Sequence, residues 1–301
     1  YEIPLCDWSS DVCSSDLMRV LITGSHGLIG TELVKQLTEL GHTPVQWKRG
    51  HAVSPEEMAT YDAVVNLAGA TTGKLPWTKK YKDELIDSRI ATTRMLVDSI
   101  NACKTPPKVF ISGSASGFYG DTGSETATEE MPKGKGFLSD LAWRWEQVAG
   151  EAKTRVVLVR TTMVMSRELG ALGRLLPLIK LGVAGPLGSG KQWWAWISLP
   201  DEVRAIIHLI NTPSAVGPFN LTAPESATCK QVVDSLGKEL KRPTIIPVPA
   251  FALRLAFWEG ADELLLCNQK MTATKLLETG FKFLHPTLAE ASAWVTKNPA
   301  D

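Results

Sequence analysis

Residues 18–30, Met-Arg-Val-Leu-Ile-Thr-Gly-Ser-His-Gly-Leu-Ile-Gly, constrain the fold more than any other stretch of the chain. Val20, Leu21 and Ile22 form a short apolar run, as expected of a strand buried on both faces. Thr23 and Gly24 end it. Gly24, Gly27 and Gly30 then lead into a segment where Ile29, Leu33, Val34 and Leu37 recur at helical spacing. Strand, glycine turn and helix in that order form a dinucleotide site. The first glycine permits the tight turn, the second lets the backbone approach a pyrophosphate, and the third lets helix and strand pack closely. Free N–H groups at the helix N-terminus and the positive end of its dipole face the anion. Gly24, Ser25, Gly27, Leu28, Ile29 and Gly30 are therefore the expected cofactor-binding residues of this turn, and His26 is a turn residue with no assigned role. The alternative is a turn with a purely structural role.

The spacing Thr23-Gly24-x-x-Gly27-x-x-Gly30 departs from the G-x-G-x-x-G of most dehydrogenases. It resembles the short-chain dehydrogenase/reductase superfamily, in particular its extended, epimerase-like members. The fold class this implies is α/β, a Rossmann doubly wound parallel sheet with a small C-terminal α+β substrate region. The expected division is a nucleotide-binding domain over 18–165 and a C-terminal region over 166–301, some of whose strands return to the main sheet.

The next strand reads Thr43-Pro44-Val45-Gln46-Trp47, and its C-terminal end decides cofactor choice. An Asp or Glu there would bind the ribose 2′-hydroxyl of NAD. Here the residues are Lys48 and Arg49. A guanidinium pairs with a 2′-phosphate that a carboxylate would repel, so NADP(H) is expected rather than NAD(H). The plainer reading is two solvated charges on a loop.

Asp62–Ala70 reads as a further strand ending in small residues, and Asn66-Leu67-Ala68-Gly69 resembles the superfamily's N-x-A-G segment. By that resemblance Leu67, Ala68 and Gly69 pass under the adenine and ribose. Trp77 to Ile100 is expected to be one amphipathic helix, with Leu85, Ile86, Ile90, Leu96, Val97 and Ile100 on its apolar side. Its Asp-Glu-Leu-Ile-Asp-Ser-Arg stretch resembles a segment of the YfcH-like subgroup, proteins often labelled sugar-nucleotide epimerases. The resemblance puts Glu84 and Arg89 near the cofactor. An ordinary solvated Glu84 is the competing reading.

Lys108 to Gly120 is a second buried strand running into hydroxyls and glycines. Extended members keep a catalytic Ser or Thr at this strand end, a place that falls to Ser114, with Tyr119 close behind. The superfamily's Tyr-x-x-x-Lys pair should follow, the Tyr as general acid/base and the Lys lowering its pKa. It is absent. Counting from Trp145-Glu146, Leu138 and Ala142 hold the two positions, and neither transfers a proton. The YfcH-like subgroup shares this loss. Tyr119, Ser114, Asp140 and Arg144 are the candidate replacements.

Thr154–Thr161 closes the nucleotide-binding core, followed by a short helix over Leu175 to Leu181. Gly188 to Ile197 then fits a G-x-G-x-Q-x-x-x-W-I stretch that in extended members lies beside the substrate pocket. Gln192, Trp193 and Trp196 are thus expected at the substrate, where indoles stack on a ring, or else serve as core filler. A strand over 217–222, helices near 227–240 and 249–258 and a strand near 244–247 are expected after it. Lys275 to Phe283 resembles the subgroup's L-x-x-x-G-F-x-F signature.

Net charge is zero, which points to no nucleic acid or other polyanion as partner. No apolar run is long enough to span a bilayer, and no membrane partner is expected. The five cysteines, at 6, 13, 103, 229 and 267, show no C-x-x-C or Cys/His cluster, so no metal is expected and a reducing, cytoplasmic setting fits. Residues 1–17 carry four acids and no Lys or Arg. They read as a non-native or disordered leader ahead of a start at Met18, and the rest of the chain keeps a surplus of four positive charges. The resemblance allows a homodimer through the helices near 80–100 and 137–150. Three functions stay open. The first is an NADP(H)-dependent oxidoreductase or epimerase-like enzyme for a small, sugar- or nucleotide-linked substrate. The second is an NADP(H)-binding sensor or scaffold without catalysis, and the third a nucleotide-binding fold without redox chemistry.

Overall fold

The computed structural model describes residues 17–167 and 170–297. The leader segment, apart from Leu17, lies outside the described residues. Six strands form one sheet: β1 (Arg19–Thr23), β2 (Thr43–Gln46), β3 (Ala63–Asn66), β4 (Val109–Ala115), β5 (Arg155–Thr161) and β6 (Gly217–Leu221). Their order is β2-β1-β3-β4-β5-β6 and every pairing is parallel. Leu21 stands opposite Val45 on one side and Val64 on the other.

Helices cover both faces. Val20, Ile22, Val65, Ile111, Val157 and Val159 pack with Leu33 and Leu37 of α1 (Leu28–Glu39) and with Val203, Ile206 and Ile207 of α2 (Leu199–Ile210). Leu21, Val64 and Phe110 point the other way. They meet Leu96, Val97 and Ile100 of the long helix Lys79–Ala102 and Ala149 of the helix Phe137–Gly150. Successive side chains alternate between faces, and both faces are covered, which is why these strands read as continuous apolar runs. The chain leaves β1 for β2 on one side and returns to β3 on the other. The strand order reverses between β1 and β3, and the crevice at that reversal is where open α/β sheets bind ligands.

A further core gathers Trp194 and Trp196 with residues of three helices, Gly170–Lys180, Cys229–Glu239 and Leu288–Thr296. Short ladders knit this region together. Met163–Met165 pairs with Trp196–Ser198, Trp193–Trp194 with Ala227–Thr228, and Thr126–Ala127 with Lys270–Met271.

Some expected elements differ. Thr78 caps the long helix by accepting the Tyr81 N–H at 3.2 Å, so Trp77 precedes the helix and packs on Phe137 instead. The short helix after β5 starts earlier, at Gly170, and continues through Pro177. The β-branched run near 244–247 finds no partner strand. Val248 alone makes an isolated bridge, to Leu187, while Ile245 and Ile246 stay exposed. Among the described residues no helix is long and apolar enough to cross a membrane.

Candidate functional site

The glycine turn is shaped by its own backbone. Gly24 has φ +69°, and a Cβ there would stand 2.4 Å from the Leu67 carbonyl oxygen. A Cβ on Gly30 would stand 2.2 Å from the Gly24 carbonyl oxygen, so strand end and helix touch only because both residues lack side chains. Gly27 is different. Its N–H donates to Gly24 at 3.0 Å, and a Cβ on it would meet only that oxygen, at 3.3 Å. Gly27 is also the N-cap of α1 and offers no side-chain cap. The first N–H groups of the helix, at Leu28, Ile29 and Gly30, have no acceptor within the helix. Ser25 is buried beside them, its Oγ 3.3 Å from His26 Nδ1.

Beneath the turn, a buried hydrogen-bond chain ties the strand ends to the helices. Thr23 Oγ1 donates to Asn66 Oδ1 at 2.6 Å, Asn66 Nδ2 donates to Thr93 Oγ1 at 2.8 Å, and Trp145 Nε1 donates to the same hydroxyl at 2.8 Å. Ala68 N–H donates to Thr23 Oγ1 at 3.2 Å, which holds the Leu67-Ala68-Gly69 segment against the turn. Gly69 leaves room for a side chain from the long helix. The space a side chain would fill belongs to Arg89, whose Cζ lies 2.8 Å from the ideal Cβ position. The Arg89 guanidinium lies 5.3 Å from the Trp145 ring centroid and donates to Leu85 O at 3.1 Å. Among the described residues no carboxylate pairs with it, and burial lowers its pKa to about 10. Glu84, one turn away, is exposed. Lys48 and Arg49 are exposed immediately after β2, whose end is held by the Trp47 N–H on Ile22 O at 2.9 Å.

Ser114 and Tyr119 share a second buried network. Ser114 Oγ donates to Glu146 Oε1 at 2.6 Å. Glu146 holds Arg160, whose Nη1 donates to the Tyr119 hydroxyl at 2.8 Å, and Tyr119 donates to Asn220 Oδ1 at 2.6 Å. Although burial opposes its charge, Arg160 has a raised pKa because Glu146 is beside it. Burial pushes the Tyr119 phenol up to about 12, with Arg160 pulling back. Both hydroxyls are thus committed inside the protein, and Tyr119 keeps its proton through the neutral range.

In the helix Phe137–Gly150, Leu138 and Ala142 hold the positions of the missing pair. Ala142 is buried against Phe118 and Tyr119. Leu138 borders a cavity of about 290 Å³ lined also by Gly117, Lys135, Arg254, Leu266 and Gln269. Ser116 Oγ donates to Gln269 Oε1 at 2.7 Å across one wall. Glu263 closes the helix end by accepting the N–H groups of Phe137 at 2.8 Å and Leu138 at 2.7 Å. Asp140 and Arg144 lie on the solvent face, Asp140 paired with Lys133, and neither reaches the cavity.

The expected substrate residues are mostly structural. Trp196 is fully buried in the C-terminal core and cannot stack on a ligand. Gln192 is buried, and its Nε2 bridges Leu187 O at 2.9 Å and Leu265 O at 3.0 Å, which clamps the glycine-rich loop to the 262–266 segment. Trp193 is half-buried with the Lys270 amine 4.8 Å from its ring centroid. Among the described residues no group of three or more His, Cys, Asp or Glu is placed to hold a metal.

Residues 20–221 match the NAD dependent epimerase/dehydratase family. The chain belongs to this family. Residues 248–295 match a domain of unknown function, DUF1731, and this stretch supplies Arg254, Glu263, Leu266 and Gln269 to the cavity. An epimerase family protein of Mycobacterium leprae is 37% identical over 298 residues, covering 93% of this chain and 96% of that protein. The chloroplastic SDR39U1 homologue of Arabidopsis thaliana is 33% identical over 307 residues, covering 93% of this chain and 88% of that protein. The crystal structure of human epimerase family protein SDR39U1 (isoform 2) with NADPH is similar at a TM-score of 0.88 and 31% identity, covering 93% of this chain and 100% of that one.

Sequence reasoning missed the residues that only tertiary contact assembles: Lys135, Glu263 and Gln269 around the cavity, and Asn220 behind Tyr119. Arg160 carried a usable signal, a charge at the end of the apolar run Val156-Val157-Leu158-Val159. A guanidinium carried into the sheet core costs least when a carboxylate pairs with it.

Proposed function

We propose that this chain binds NADP(H) across the crevice at the glycine turn and acts as an oxidoreductase or epimerase-like enzyme on a small molecule. The observation that carries this reading is the turn itself. Gly24 and Gly30 are required by the backbone, while the helix that starts behind Gly27 has no side-chain cap on its first N–H groups. Lys48 and Arg49, exposed at the end of β2, are the groups that would take a 2′-phosphate. The human relative crystallised with NADPH supports the same choice. Arg89, a half-buried cation without a carboxylate partner, adds a positive charge beside Gly69 on the cofactor side.

The cofactor would supply the hydride. The protein's part is to hold the substrate in the cavity beside Leu138, which at about 290 Å³ lies at the small end of ligand pockets. Ser114 and Tyr119 act as positioning residues that fix the strand end and the 116–119 turn through Glu146 and Arg160. Lys135 is the one basic residue that the 117–138 stretch brings to the cavity.

A second reading, a cofactor sensor without turnover, is favoured by Leu138 and Ala142 in place of the proton-transfer pair. Titration calorimetry with NADPH, NADP⁺, NADH and NAD⁺, followed by NADPH consumption across small aldehydes, ketones and nucleotide sugars, separates the readings. NADPH preference with turnover of a small carbonyl supports the enzyme. Tight NADPH binding with no turnover moves the assignment to the sensor. No binding of any of the four overturns both.

A further inference from the structure

Two stretches of the C-terminal region lie side by side and leave apolar side chains in water. Gly188 N–H donates to Val248 O at 2.8 Å, and Val248 N–H donates to Pro186 O at 3.0 Å. Gly185 packs so closely on Ile246 that a Cβ would stand 2.2 Å from its carbonyl oxygen. On the joined surface Leu181, Ile245, Phe251, Leu255 and Trp258 are between 56% and 81% exposed. Among the described residues, eight of the fourteen exposed large apolar side chains come from 178–183 and 245–258, so they form a patch rather than a scatter.

The helix Ala250–Phe257 carries the centre of this patch. Phe251 and Leu255 recur at i and i+4, which puts them on one face, and Trp258 follows at the C-cap, where the backbone leaves the helix at φ 53°. Leu253 is buried beneath them, and Arg254 turns aside to Asp262 at 3.0 Å. Within the two segments the charge is of one sign, although the exposed Glu239 borders them. Residues 177–183 and 240–258 contain no Asp or Glu, and Lys180, Lys241 and Arg242 are exposed within them. Glu259, just beyond, is paired with Lys82 at 2.6 Å.

We propose that this face is a docking surface for an anionic lipid membrane, with the helix Ala250–Phe257 lying flat in the headgroup layer. An exposed aliphatic stripe, a tryptophan at its edge and lysines and arginine without intervening acids are the chemistry that an anionic bilayer surface selects. Such a contact needs no spanning helix. The helix Ala250–Phe257 also lines the cavity through Arg254, so a docked molecule holds its cavity next to the lipid surface.

The test is sedimentation of the full chain with vesicles of phosphatidylcholine alone and of phosphatidylcholine mixed with phosphatidylglycerol. The chain should sediment with the mixed vesicles and stay in solution with the neutral ones, and added salt should release it. Lys241→Glu with Arg242→Glu, both on the surface, should weaken binding by about tenfold or more. Phe251→Ser with Leu255→Ser should abolish it with the thermal midpoint unchanged. No sedimentation with mixed vesicles overturns the proposal, as does equal binding by the charge-reversed variant. If vesicles are not bound and the Phe251/Leu255 variant converts a dimer into a monomer, the face belongs to a second copy of this chain and the membrane assignment falls.

Discussion

Glu146 and Arg160 meet as a two-point pair, Oε1 to Nε at 2.8 Å and Oε2 to Nη2 at 2.9 Å, with side chains only 6% and 4% exposed. Arg160 stands opposite Ser114 in the β4–β5 register, and the helix bearing Glu146 is tied to β5 through this contact. Ser114 and Tyr119 both bond to the pair, so the strand end depends on it.

Glu146→Ala would leave the Arg160 guanidinium buried and unpaired. It should cost about 3–5 kcal/mol, read as a lower urea midpoint at unchanged slope. Glu146→Leu combined with Arg160→Met should be much milder, because no charge is then stranded. Equal losses in the two variants would show that packing, not charge pairing, holds this junction.

Gly30→Ala and Gly27→Ala should separate fold from binding. The added methyl at Gly30 runs into the Gly24 backbone at 2.2 Å, so thermal stability and NADPH binding should fall together. At Gly27 the methyl meets only the Gly24 carbonyl oxygen, at 3.3 Å. Stability should hold while NADPH affinity drops by about tenfold, roughly 1.4 kcal/mol. Calorimetry and thermal melting on both variants check this.

Arg49→Asp should weaken NADPH binding far more than NADH binding. A carboxylate beside a 2′-phosphate replaces attraction by repulsion, whereas it can accept from a ribose 2′-hydroxyl. Competitive titration of the two cofactors decides it, and equal loss of both would remove Arg49 from cofactor selection.

Glu202 makes stability depend on pH. It is fully buried, and burial pushes its pKa from 4.5 up to about 8, with the Thr161 hydroxyl at 2.7 Å pulling the other way. The native state therefore keeps a proton that the unfolded state loses above about 4.5. This contribution is complete below that pH, declines as pH rises toward about 8, and is flat beyond. Glu202→Gln should flatten the fall in the urea midpoint over this window, since the amide needs no proton. An unchanged slope of midpoint against pH would assign the titration to another group.

The C-terminal region was harder to read than the nucleotide-binding half. Trp193, Trp194 and Trp196 look alike in sequence, yet Trp196 fills the core, Trp194 donates to Leu265 O at 3.1 Å, and Trp193 lies half in solvent. A strand of alternating side chains puts neighbours on opposite faces, and only the packing partners say which face is wet. Ile245 and Ile246 carry strand-forming side chains, but a strand exists only where another pairs with it, and none does among the described residues.

By itself, the sequence determined what local chemistry can determine: the buried strands, the glycine turn, the helix that follows it, Lys48 and Arg49 at the strand end, and the loss of the Tyr-x-x-x-Lys pair. These features act within a few residues of one another, and their periods and spacings survive in one dimension. The tertiary structure alone decided that Gly69 makes room for Arg89, that Ser114 and Tyr119 hang on Glu146 and Arg160, and that Lys135, Glu263 and Gln269 surround one cavity. Glu263 bonds Phe137 from 126 positions away, and Tyr119 bonds Asn220 from 101. Such contacts form because the burial of apolar surface folds distant segments together, and each polar group carried inside must then find a partner wherever the fold has put one.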